Sequence, residues 1–187
     1  QALIGVNLIT STVMKAYSEP HRHWHNVDHL MQVFTDIVES HTKYPDRVKA
    51  AILAAVYHDA VYDPHSKTNE EDSVKFMLED IKNNQNPWTA NSDVVDTAAI
   101  FIMDTKNLKA SGGINYYDRK IFTSTNLMEV ITYGKKIWKE YNFVSWETFV
   151  TEHLKTVGDL FEHRSTFKLY KEWLRTHKQI GRASCRE

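Results

Sequence analysis

Ala50-Ala51-Ile52-Leu53-Ala54-Ala55-Val56-Tyr57-His58-Asp59 is apolar on every side of a helix and then ends in two ionisable groups. A helix of that kind belongs in the middle of a folded domain. It is too short to span a bilayer, which takes about 18 to 20 apolar residues. Asp59 follows Ala55 by four residues and Ile52 by seven, so its carboxylate leaves from an apolar face. An unpaired carboxylate there costs on the order of several kcal/mol. Asp59 therefore needs a cation or strong donors, and a buried His-Asp pair capping the helix end would meet the same need without a metal.

Outward from this stretch, apolar residues recur at helical spacing and no run of β-branched residues alternates with polar ones. The spacing predicts an all-α fold. Helices are expected over Ala2–Tyr17, Asn26–His41, Asp46–Val61, Asn69–Asn83, Trp88–Asp104, Asn115–Phe122, Asn126–Tyr141, Ser145–Phe161 and Ser165–His177. Pro20, Pro45, Pro64 and Pro87 all fall between these segments, as does the Gly112-Gly113 pair. With 187 residues, no internal repeat and no shift in composition, a single domain over 1–179 is expected. The last eight residues, from Ile180 to Glu187, read as an in-frame translation of a sequencing adapter, so 180–187 is expected to be a non-native tail.

A formal charge of -1 gives no electrostatic reason to expect nucleic acid or an anionic membrane as partner, and a small ligand is expected instead. Oligomeric state is left open. Cys185 is the one cysteine, which suits a reducing cytoplasm, and no secretory leader pattern opens the chain. The start at Gln1 is read as a native N-terminus cut away.

Two further polar residues sit where core residues belong. His29 precedes Val33 and Ile37 by four and eight residues on one helical stripe, and Asp118 follows Ile114 by four and precedes Phe122 by four. Each alone reads as a hydrogen-bonded core residue. Together with His58 and Asp59 they offer two imidazoles and two carboxylates from three helices, the ligand set of first-row divalent metals. One divalent ion (Mn, Co, Ni, Fe, Mg or Zn) held by His29, His58, Asp59 and Asp118 would retain coordination positions for water, as hydrolysis requires.

The order His29, His58-Asp59, Asp118 resembles the H…HD…D signature of the HD superfamily of phosphohydrolases. More specific are the stretch from Tyr17 through His21-Arg22-His23-Trp24-His25 to His29, then Tyr57 to Pro64, then Asn69-Glu70-Glu71-Asp72-Ser73. These resemble a little-characterised, single-domain subfamily of metal-dependent HD phosphohydrolases over about Val13 to Leu174. The resemblance implies an HD-type helical bundle with a buried metal centre that hydrolyses a phosphate ester of a nucleotide or other small molecule. Asp104 to Leu108 departs from a segment that often ends in histidine, and Trp138 and His153 stand where arginines are expected, so substrate contacts are expected to differ.

Among the neighbours, Arg22 and His25 are candidate phosphate contacts, Arg by its two-pronged donor geometry. Lys67 is a third. Asp59, with Glu70 or Asp63, is a candidate to orient and deprotonate the attacking water. Glu70 and Glu71 also read as acids favoured by a helix N-terminus. Tyr116, Tyr117, Tyr133, Trp138 and Tyr141 read as core aromatics, with Tyr117 or Tyr133 the candidates to stack on a base. Two alternatives stand beside the hydrolase: a nucleotide-binding module without turnover, and a di-iron oxygenase, for which only His65 lies between Asp59 and Asp118.

Overall fold

The structure is a computed structural model that describes residues 8–84, 87–107 and 112–177. The expected 180–187 tail lies outside them. Among the described residues the chain forms nine α-helices and one 3₁₀ turn, with no strand, as the periodicity predicts. No helix there is long and apolar enough to cross a membrane. The chain folds as two compact units that divide after Asp118.

The first unit carries α1 (Ser11–Tyr17), α2 (Val27–Glu39), α3 (Asp46–Tyr57), α4 (Asn69–Asn83), α5 (Ser92–Thr105) and α6 (Asn115–Asp118). α3 is its centre: every residue from Ala50 to Tyr57 is buried, and the helix packs on α2, α4 and α5. Side-chain oxygens start the helices around it. Thr10 accepts the Val13 N–H, Asn26 those of Asp28 and His29, and Asn91 that of Asp93. Each such cap stabilises its helix by about 1 kcal/mol.

Three helices stop four residues short of their expected ends, each for a local reason. α3, expected to reach Val61, ends at Tyr57 because side chains take over the next backbone groups. Tyr17 Oη accepts the Asp59 N–H, Ser73 Oγ accepts the Val61 N–H, and Arg22 donates to the carbonyls of Asp59 and Ala60. The helix expected over Asn115–Phe122 is instead α6 followed by a 3₁₀ turn, Lys120–Thr123. The helix expected over Ser145–Phe161 stops at Val157, with Gly158 as its C-cap.

The second unit holds that 3₁₀ turn with α7 (Leu127–Glu140), α8 (Trp146–Val157) and α9 (Arg164–Thr176). Its core is aromatic: Phe122, Tyr133, Trp138, Trp146, Phe149, Phe161 and Tyr170 are all buried. Tyr133 and Trp138 are thus core residues, whereas Tyr116, in the first unit, is exposed. α9 crosses α7 at Gly134, where an added Cβ would lie 2.1 Å from the Tyr170 hydroxyl. Tyr170 is fully buried and cannot swing away, so Gly134→Ala is expected to destabilise the chain by about 2 kcal/mol through overpacking. Urea unfolding measures this, and a change under 0.5 kcal/mol would contradict the close approach.

His153 is buried between Phe149 and Tyr170, with Nε2 2.9 Å from the Tyr170 hydroxyl. Burial pushes its pKa down from 6.5 to about 4. The imidazole is therefore neutral in the fold while the unfolded chain protonates below 6.5. Its contribution to stability is complete above pH 6.5 and is lost as pH falls toward 4. His153→Gln is expected to lose less stability than the wild type between pH 6.5 and 5, by about 2 kcal/mol. Parallel urea titrations at the two pH values give the comparison; equal losses would refute the neutral buried histidine.

Candidate metal centre

α2 begins at Asn26, and its buried stripe is His29, Leu30, Val33, Phe34 and Ile37. His29 thus occupies the first inward position of an apolar face. α3 delivers His58 as its C-cap residue and Asp59 immediately after it, and α6 ends on Asp118. One ligand atom from each of these four residues lies within 4.8 Å of all the others. His29 Nε2 is 3.1 Å from Asp118 Oδ1 and 3.7 Å from Asp59 Oδ2. His58 Nε2 is 3.1 Å from Asp59 Oδ2, 3.5 Å from Asp118 Oδ1 and 3.3 Å from His29 Nε2.

Those separations suit a shared cation. With bonds of about 2.1 Å, neighbouring ligand atoms lie about 3.0 Å apart at a right angle and about 3.4 Å apart at a tetrahedral one. The hydrogen bonding points the same way. His58 Nδ1 lies 2.9 Å from the Ala55 carbonyl, which accepts and can only accept, so the Nδ1–H donates there. In the neutral ring, Nε2 then presents its lone pair to two carboxylate oxygens and a second imidazole nitrogen. Asp59 Oδ2 is a buried oxygen with no hydrogen-bond donor. Converging lone pairs repel unless a positive charge sits among them, and an imidazole whose other nitrogen is tied to a backbone carbonyl is the usual form of a metal-ligating histidine.

Without a metal, a proton is the available positive charge. Burial works against a charged His58, yet the Asp59 carboxylate outweighs it and holds the imidazole well above its ordinary value. Burial would raise both carboxylates, but His58 and His25 hold Asp59 well below the usual range, and His29 and His58 do the same for Asp118. Opposite charges thus favour one another in this cluster, and a divalent ion bound there could take the place of the proton.

The expected neighbours divide into those beside the cluster and those committed elsewhere. The His25 ring packs edge-on against His29 at 5.9 Å and stacks on Tyr62 at 4.3 Å. Arg22, expected to meet phosphate, has its side chain wholly buried and all three guanidinium nitrogens engaged by Glu19 and the carbonyls of His25, Asp59 and Ala60. Asp63 is exposed and its Oδ1 accepts the His65 N–H in a local turn. Glu70 Oε2 lies 3.8 Å from Lys106 Nζ, which also pairs with Glu71 at 2.6 Å and donates to the Lys67 carbonyl. The Lys67 side chain is exposed. Neither Glu70 nor Asp63 belongs to the four-residue cluster. Trp138 and His153 are buried in the second unit, and Leu108 lies outside the described residues.

Sequence reasoning missed two residues around the cluster. Tyr17, fully buried, accepts the Asp59 N–H, and Lys106 ties α5 to the start of α4. Tyr17 opens the stretch that carries the resemblance, but nothing in its spacing marks the hydroxyl as the acceptor for Asp59. No protein-family model, curated protein or solved structure matches the chain.

Proposed function

We propose that this chain is a cytoplasmic, metal-dependent phosphohydrolase of the HD type, with His29, His58, Asp59 and Asp118 holding one divalent ion. The single observation that carries the metal is the convergence of these four ligand atoms around a point where lone pairs would otherwise repel. The order H…HD…D along the chain supports the hydrolytic reading. The substrate class we infer is a small phosphate ester, with nucleotides first among them.

When bound, a divalent ion at this donor set supplies Lewis-acid polarisation of a phosphoryl oxygen and acidifies water at neutral pH. The chain's own residues do the rest. To Asp59, whose Oδ2 faces both histidines, we assign the orientation of the attacking water. His58 keeps its Nε2 lone pair inward because Nδ1–H is spent on Ala55. His25, beside His29 and electrostatically close to Asp59, is the side chain we assign to the phosphoryl oxygens. Glu70 and Asp63 remain candidates to pass on the proton, each first having to leave its present partner.

The test is metal analysis of chain purified without chelator, joined to phosphate release from nucleotides and simple phosphate esters with added Mn, Co, Ni, Mg or Zn. The expected result is about one bound ion and phosphate release that depends on it. No metal under any loading condition would remove the basis of the proposal. Two irons without phosphate release would redirect it to oxygen chemistry.

A further inference from the structure

Arg22 is a charged side chain with none of its surface in solvent. Burying a guanidinium is costly unless its donors are met, and here they are met around one ligand residue. Nη1 donates to the Asp59 carbonyl at 2.5 Å and Nη2 to the Ala60 carbonyl at 3.1 Å, while Nε pairs with Glu19 at 2.8 Å. The guanidinium lies over the rings of Tyr17 and Tyr62, 5.3 and 5.6 Å from their centroids. Tyr17 uses its hydroxyl to accept the Asp59 N–H at 3.1 Å. Both backbone polar groups of Asp59 are thus gripped by side chains from the segment that precedes α2.

We propose that Arg22 and Tyr17 are positioning residues that fix the Asp59 backbone, and through it the direction of the Asp59 carboxylate in the metal centre. This rests on the metal reading above. The last N–H bonded in the α3 pattern is that of His58, to the Ala54 carbonyl; beyond it the Asp59 N–H and the carbonyls of Asp59 and Ala60 are held by Tyr17 and Arg22, so the carboxylate direction depends on those side chains. A planar fork reaches two successive carbonyls at once, and the ammonium of a lysine, a point donor, does not. The arrangement also explains why an arginine next to a phosphate-type site is turned away from solvent.

The test uses Co2+ alone as probe, because its visible absorption reports coordination geometry independently of turnover. Arg22→Lys keeps the charge and loses the fork; Tyr17→Phe keeps the ring and loses the acceptor. Each is titrated with Co2+ beside the wild type, with circular dichroism to establish folding. The expected result is a dissociation constant raised about 10- to 100-fold and altered absorption bands in both folded variants. Lower thermal stability with wild-type affinity and wild-type bands would show a structural cap only and overturn the proposal. If Arg22→Lys does not fold, Tyr17→Phe decides. A wild type that takes up no Co2+ overturns the metal reading and this proposal with it, whereas a wild type that binds alongside unaltered variants overturns this proposal alone.

Discussion

Asp59→Ala is expected to lower metal-dependent phosphate release by about 10²- to 10⁴-fold, the range for loss of a positioned proton-handling group, and to weaken retention of the ion as well. Two effects combine in the proposed mechanism because this carboxylate faces both histidines through Oδ2 and is the group assigned there to the attacking water. The metal-free variant offers an independent readout. Burial already opposes protonation of His58, and the Asp59 carboxylate is the main opposing influence. Its removal should bring the His58 pKa down, which NMR titration of the imidazole follows. Undiminished hydrolysis would eliminate Asp59 from the mechanism. Ligand binding that disappears in the variant, with no turnover in either form, would favour a nucleotide-binding module over an enzyme.

Asp80→Ala is expected to cost about 3 kcal/mol of stability, the largest loss among the substitutions considered. The Asp80 carboxylate is buried and accepts from Tyr57 Oη at 2.7 Å, Thr10 Oγ1 at 3.1 Å and Asn84 Nδ2 at 3.0 Å. These donors belong to the end of α3, the cap of α1 and the C-terminus of α4. Burial and the Asp80 carboxylate both push Tyr57 above its ordinary value, so its hydroxyl remains a donor across the working pH range. Alanine would strand that donor inside the unit. Asp80→Asn keeps an acceptor and should cost about 1 kcal/mol. Urea unfolding of both variants decides, and an alanine variant within 0.5 kcal/mol of wild type would show that the network contributes little.

Much of this was legible from spacing, and the exceptions have physical causes. The uniform apolarity of Ala50–Val56 announced a central helix, and α3 is buried as that pattern requires. His29 and Asp118 stood out because polar residues at core positions are expensive, and the structure brings both to the His58-Asp59 pair. What the sequence concealed was the use made of Arg22. A side chain that reaches phosphate and one that reaches backbone carbonyls carry the same donors, and only the path of the chain decides between them. The helix ends at Tyr57 and Asp118 were hidden for a related reason: periodicity continues past both, while the backbone finds other partners. Glu70 was readable as an acid at a helix start, but its neighbour Lys106, 3.8 Å away and 36 positions along the chain, was not.

Asp118, one of the four clustered side chains, is supplied by the least self-sufficient element of the first unit. α6 has four residues, too few to be helical alone, and is entered through Gly113 at φ 62°, where a Cβ would run into the Phe101 ring at 2.9 Å. Asn115 holds it to the Asp104 carbonyl at 3.3 Å. His29 stands inside α2, His58 closes α3 and the Asp59 backbone is held by Tyr17 and Arg22, whereas Asp118 depends on a single corner of chain. A metal centre built there would be latched rather than bolted. An ion would enter and leave through brief release of that corner, at a rate set by local opening and far faster than unfolding of the unit.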